Sequence, residues 1–218
     1  MAIRILLADD HGLVRAGLRL LIAQQPDMQV VGEAENGRGA VDLAQKLSPR
    51  IVLMDISMPD LNGVDATQQI IALSPPPCVI ALSGHTDQRA VVAVLRAGAS
   101  GYVVKNAPAE ELMLAIRTVA DGKVYLSPQI AGSVLDDFRR STSAGSSAGS
   151  STLSPREREV LQLMAEGKST KQIASILNIS KKTADNHRAH LMEKLKASSL
   201  AELIKYAIRE GLTSVNNS

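Results

Sequence analysis

The sequence predicts a doubly wound α/β unit followed by a smaller all-α unit, and three observations carry that reading. Apolar runs of strand length alternate with helix-period patterns through about residue 122, whereas the residues beyond 152 show helical periodicity alone. Between them, Ser141–Thr152 reads STSAGSSAGSST, which buries too little apolar surface to offset its ordering entropy. The expected boundaries are 1–122 for the α/β unit, 123–140 for a connecting segment with a short helix, 141–152 for a flexible linker and 153–218 for the helical unit.

The first apolar run, Ile3–Ala8, leads into a helix carrying Val14, Leu18, Leu21 and Ile22. Val30 and Val31 mark a second strand, and Ala40, Leu43, Ala44 and Leu47 recur at helical spacing after it. Ile51–Met54 is a third strand and Val64–Leu73 a third helix. Cys78–Leu82 and Tyr102–Val104 supply two more strands, separated by Val91, Val94 and Leu95 on one helix face. Leu112, Ile116, Val119 and Ala120 mark a fifth helix. Five strands alternating with five helices imply a five-stranded parallel sheet covered on both faces.

In the C-terminal part, Ser154-Pro155-Arg156-Glu157 and Ser169-Thr170-Lys171-Gln172 both have capping-box spacing, the first with Pro at the opening helical position. Asn178-Ile179-Ser180 reads as a tight turn, a third helix starts near Lys181, and Leu200, Leu203, Ile204, Ala207 and Ile208 form a stripe on a fourth helix that Gly211 stops.

Charge is divided along the chain. Residues 1–152 hold 13 basic and 15 acidic side chains, net −2, and residues 153–218 hold 11 and 7, net +4. An acidic front suits a cation site and a basic tail suits a polyanion. Aromatics make up only 2% of the chain, which argues against sugar stacking and against aromatic platforms for single strands. The single cysteine, Cys78, lies in an apolar run and reads as a small buried hydrophobe, consistent with a reducing compartment. No apolar run reaches the roughly 18 residues of a membrane helix, and the N-terminus lacks a signal-peptide layout. The expectation is a cytoplasmic protein with no membrane association.

Function in such sheets collects at the carboxyl ends of the strands. Those ends carry Asp9 and Asp10 after the first strand, Asp55 after the third, Ser83 after the fourth and Lys105 after the fifth. Three crowded carboxylates repel one another and call for a counter-charge. A hard dication such as Mg²⁺ supplies it and also neutralises a phosphoryl group.

The runs Leu6-Leu7-Ala8-Asp9-Asp10-His11, Val52 to Gly63 (VLMDISMPDLNG), Ala81-Leu82-Ser83-Gly84 and Gly98 to Lys105 (GASGYVVK) resemble a receiver domain of the flavodoxin-like fold over Met1 to about Gly122. The resemblance implies that Asp55 is the phosphoryl acceptor. Asp10 and Asp55 would ligate Mg²⁺ directly, Asp9 through water, and Ser57 by its backbone carbonyl. It further implies that Lys105 pairs with a phosphoryl oxygen, that Ser83 senses the new anion, and that Tyr102 then turns from exposed to buried.

The stretches Leu153 to Leu161 (LSPREREVL), Glu166 to Ala174 (EGKSTKQIA) and Ile179 to Arg188 (ISKKTADNHR) resemble a LuxR-type output domain, and the pairing places the chain with the NarL/FixJ group of response regulators. Ile173, Ala174, Ile176, Leu177 and Ile179 would pack the first helix and turn of a helix-turn-helix, with Ala184, Leu191 and Leu195 seating the second. Lys181, Lys182, Asp185, Asn186, Arg188, Ala189 and His190 are then left on its outer surface. Asn186 suits adenine and Asp185 suits cytosine, whereas Lys171, Lys182, Thr183, His187 and Arg188 suit phosphates. Asp185 departs from members with Lys there, and Ala184 is smaller than the usual Val. The resemblance also assigns a dimer contact to the last helix, through Leu200, Leu203, Ile204 and Ala207.

The function so implied is a phosphorylation-gated transcription regulator and not an enzyme in the ordinary sense. A sensor histidine kinase would phosphorylate Asp55, releasing a masked output domain to dimerise on double-stranded promoter DNA, with RNA polymerase as a further partner. An aspartate-nucleophile phosphatase would carry a second carboxylate two residues after the nucleophile, where this chain has Ser57. A constitutive dimer scaffold would have no use for the full acidic set.

Overall fold

The computed structural model describes residues 2–84, 88–132, 134 and 153–213, with the side chain of Gln88 set aside. The chain forms two compact units. The expected linker at 141–152 lies outside the described residues.

The N-terminal unit alternates β1 (Ile3–Ala8), α1 (Gly12–Ala23), β2 (Met28–Ala34), α2 (Gly37–Leu47), β3 (Ile51–Asp55), α3 (Gly63–Ile71), β4 (Cys78–Ser83), α4 (Gln88–Arg96), β5 (Gly101–Val104) and α5 (Ala109–Ala120). All strands run parallel in the order β2-β1-β3-β4-β5-β6, so the winding reverses between β1 and β3. The sheet has six strands and not the five expected. The addition, β6 (Tyr125–Leu126), pairs Gly101 with Tyr125 and Tyr102 with Leu126. Two residues are too few to show alternation, and β6 falls within the segment read as a connector. The helix expected there is present over residues 128–132.

The central strands are apolar because both faces are covered. All five residues of β3 are buried, as are Val79 to Ser83 of β4. One face packs Ile5, Leu7, Leu53 and Ile80 against Ile22 of α1 and Leu112, Ile116 and Val119 of α5. On the other, Val91 and Val94 of α4 meet Ala81, Tyr102 and Ile130. Cys78 is half-buried against the first of these clusters, somewhat more open than expected.

The C-terminal unit contains α6 (Pro155–Ala165), α7 (Thr170–Ile176), α8 (Lys181–Lys194) and α9 (Leu200–Arg209). Both expected capping boxes are formed, Ser154 with Glu157 and Ser169 with Gln172, and the Ser180 side chain accepts from Thr183 N at the start of α8. Asn178 adopts φ 51°, the left-handed turn separating α7 from α8, and Gly211 at φ 69° follows α9. Val160, Leu161, Leu163, Ile173, Leu177, Ala184, Leu191, Leu203 and Ala207 share one core.

Candidate functional site

Reversal of the winding between β1 and β3 leaves a crevice at their carboxyl ends. Asp9 and Asp10 enter it from the end of β1 and Asp55 from the end of β3. Asp9 and Asp55 are buried and Asp10 is half-buried. Lys105 follows β5, its backbone N–H bonded to Ser83 O at 2.8 Å. Its Nζ lies 2.7 Å from Asp9 Oδ2 and 2.8 Å from Asp55 Oδ2, so one ammonium bridges two buried carboxylates.

One ammonium does not balance three carboxylates. Burial raises the Asp55 carboxyl above its ordinary value; Lys105 opposes that shift and Asp9 adds to it. Burial works against the Lys105 ammonium too, but Asp55 and Asp9 outweigh it and hold its value above the usual. Asp9 Oδ2, Asp10 Oδ1 and Asp55 Oδ2 are buried and accept no well-formed hydrogen bond, standing against Lys105 Nζ and His11 Nδ1. Carboxylate oxygens with unused acceptor capacity, gathered at one point, fit a hard dication of the Mg²⁺ class.

His11 is a member of this cluster that sequence reasoning did not single out. Its Nδ1 lies 2.8 Å from Asp10 Oδ1 and 3.1 Å from Asp9 Oδ1, and potential ligand atoms of Asp9, Asp10, His11 and Asp55 lie within 4.8 Å of one another. Arg15 was also missed, although its spacing from Leu18 and Ile22 puts a charge on the core-facing stripe of α1. Ser57 N–H donates to Asp55 Oδ1 at 3.4 Å. Ser83 is buried at the end of β4, the strand adjacent to β3. Tyr102, expected to start exposed, is instead fully buried among Ala81, Val91, Val94 and Ile130. The β5–β6 pairing and Ile130 supply an apolar setting that the strand alone does not reveal.

In the C-terminal unit, Ala184 and Leu191 turn inward, leaving Lys181, Lys182, Thr183, Asp185, Asn186, Arg188, Ala189 and His190 exposed along α8, with His187 partly so. Lys171 is exposed on α7. Thr183 Oγ1 is 2.8 Å from Ser180 Oγ, and Lys181 Nζ lies 3.6 Å from Asp185 Oδ2 one turn along. The expected dimer set needs correction. Leu203 and Ala207 are fully buried in their own unit's core and have no surface to offer a partner. Leu200 and Ile208 are the exposed large apolar residues of α9, with Ile204 intermediate.

Among the described residues, no helix is long and apolar enough to cross a membrane. Residues 5–117 match the family described as response regulator receiver domain, and residues 151–207 the family of bacterial regulatory proteins of the luxR type. The chain is 35% identical to the transcriptional regulatory protein DegU of Brevibacillus brevis, covering 98% of this chain and 96% of that one. It is 38% identical to the oxygen regulatory protein NreC of Staphylococcus carnosus, covering 96% and 98%. Among solved structures it is similar to RcsB of Salmonella enterica serovar Typhimurium bound to promoter DNA, at 28% identity and TM-score 0.60, covering 98% and 100%. It is also similar to ChrA, the response regulator of a heme-sensing two-component system, at 32% identity and TM-score 0.53, covering 97% and 98%. With receiver and LuxR-type domains joined in one chain, this protein belongs to the NarL/FixJ group of two-component response regulators, which regulate transcription by binding DNA.

Proposed function

We propose that Asp55 accepts a phosphoryl group from a sensor histidine kinase and that the resulting acyl phosphate switches on promoter binding. The observation carrying this reading is the bridge from Lys105 Nζ to Asp9 and Asp55 at the strand ends. An Asp55 oxygen attacks phosphorus as the bond to the donor nitrogen, or to the oxygen of a small acyl phosphate, breaks. Lys105 pairs with a phosphoryl oxygen, offsetting the charge that otherwise repels the nucleophile. When bound, Mg²⁺ would neutralise charge on the group being transferred. Asp10 and Asp55 would hold it directly, Asp9 through water and Ser57 by its carbonyl.

The new group adds nearly two negative charges, and Ser83 donates a hydrogen bond to it. Tyr102 is buried, the position expected after phosphorylation. The modification would act by favouring this buried position of the ring.

The exposed surface of α8 enters the major groove. Asn186 and Asp185 face base edges, together with Lys181 and Ala189, while Lys171, Lys182, Thr183, His187 and Arg188 hold the backbone. Phosphorylation favours a homodimer through Leu200 and Ile204 of α9, bringing the protein to promoter DNA where RNA polymerase works, in the cytoplasm.

Asp55→Ala in the full chain tests the reading. Incubation with a small acyl phosphate and Mg²⁺ labels the wild type, seen as a retarded band on a phosphate-affinity gel, and leaves the variant unlabelled. Labelling retained in the variant overturns the assignment. Tighter promoter binding by Leu153–Ser218 than by the unphosphorylated full chain supports masking; equal binding rejects it.

A further inference from the structure

We infer that Arg15 is a positioning residue for the acidic pair Asp9–Asp10. It fixes the peptide bond that joins them and so the direction in which Asp10 faces the cation site. The inference rests on the metal-site reading above.

Arg15 lies on α1 with its side chain only 12% exposed. Its Nη1 donates to the backbone carbonyl of Asp9 at 2.7 Å. That carbonyl belongs to the peptide unit shared with Asp10, and because a peptide is planar, holding its oxygen also orients Asp10 N and Cα. The other side of Asp9 is already pinned: its N–H donates to Ala34 O at 3.1 Å. The side chain is held as well, Oδ1 accepting from His11 N at 2.9 Å and Oδ2 lying against Lys105. Arg15 supplies the remaining constraint.

The guanidinium is itself anchored from the β2 side. Nη2 donates to Glu35 Oε1 at 2.6 Å, and Nε stands 3.6 Å from Glu33 Oε2 without forming a hydrogen bond. Glu33 lies on β2 and Glu35 just beyond it, so the planar fork ties the end of β2 to the end of β1. A merely structural tie between α1 and β2 would need only the two glutamates. The bond to Asp9 O is what directs the fork at the site. Outer partners that orient metal-ligating groups typically govern affinity by about 10–100-fold.

The test titrates Mg²⁺ alone into the full-length protein by calorimetry, with thermal midpoints measured in a chelator alongside. Arg15→Gln is expected to weaken Mg²⁺ binding about tenfold or more. Arg15→Lys, whose ammonium can still donate to the Asp9 carbonyl, recovers part of the loss. Glu35→Gln keeps the bond to Asp9 and stays within about threefold of wild type, whatever it does to the midpoint. Arg15→Gln with affinity within about twofold of wild type overturns the inference, even if its midpoint falls. If Arg15→Gln does not fold, Arg15→Lys decides: weaker binding than Glu35→Gln supports the role, and affinity equal to wild type rejects it. Asp10→Asn separates the two layers. If wild type and Asp10→Asn bind Mg²⁺ equally, the metal site itself is wrong and Arg15 falls with it.

Discussion

Gly63 lies so close to the backbone of Asp55 that a β-carbon on it would sit 2.0 Å from the Asp55 carbonyl oxygen. The glycine opens α3 and its N–H donates to Ile56 O at 2.9 Å, so the helix start packs directly behind the acceptor strand. A methyl there must push backbone, not a yielding side chain. Gly63→Ala is expected to cost stability at or above the upper end of the roughly 1–3 kcal/mol typical of overpacking. Urea denaturation measures the loss, and phosphorylation of the folded fraction should slow because Asp55 shifts.

The unbalanced carboxylates predict that neutralising one of them stabilises the fold. At pH 7 without divalent cations, Asp55→Asn should raise the stability of the N-terminal unit, because burial disfavours the ionised carboxylate. The Asp55 value is raised on folding, so its ionised form costs stability above that value, and the cost is relieved as pH falls through it. The gap between wild type and variant should therefore close in acid. Lys105, also raised, contributes fully at neutral pH and loses its contribution only as pH rises through its folded value. Saturating Mg²⁺ at about 100 times its Kd should add about 2.7 kcal/mol to wild type, and less to the variant. Thermal melts across pH, with and without the ion, check both arms.

Ser127 is fully buried after β6, where its hydroxyl donates to Glu111 and accepts from Val104 N–H at 3.3 Å. Ser127→Ala leaves that N–H unpaired and should cost about 1–3 kcal/mol. Hydrogen exchange should show faster exchange at Val104 and residues 125–127, with β1 unchanged.

The two kinds of apolar residue on α9 should separate in mutation. Leu203→Ala opens a cavity in the C-terminal core and should cost about 2–5 kcal/mol. Leu200→Asp on the exposed side should leave the melting curve nearly unchanged while weakening self-association of the phosphorylated protein in sedimentation.

Asp185 on α8 pairs with Lys181 across one helical turn. Asp185→Asn removes a charge that repels DNA phosphates and frees the lysine. Non-specific affinity should rise, and the slope of log K against log salt should steepen by about 1, as for one added phosphate contact. Titrations of a random duplex at several salt concentrations measure it.

The carboxylate site was legible from sequence because its members stand at fixed places after apolar strands, and topology alone brings strand ends together. Lys105 could be read this way despite lying fifty residues beyond Asp55. The helix caps of the C-terminal unit were legible for a similar reason, since a capping box is local and Ser154 and Glu157 need no tertiary context. Arg15, His11 and β6 were not. Arg15 acts through a backbone carbonyl, which has no signature of its own in sequence. Tyr125–Leu126 becomes a strand only because β5 offers a free edge. The α9 stripe reads as part core and part dimer contact, and periodicity alone could not assign Leu203 and Ala207 to the core share.

That added strand has a mechanical consequence. Tyr125 N bonds to Ser100 O at 3.2 Å and Ser127 N to Tyr102 O at 2.9 Å, while Ile130 packs in the cluster that holds the Tyr102 ring. The polypeptide on its way to the C-terminal helices is thus stitched to β5 at the level of that ring. Any displacement of the ring therefore strains the β5–β6 pairing and the main chain of residues 125–130 together.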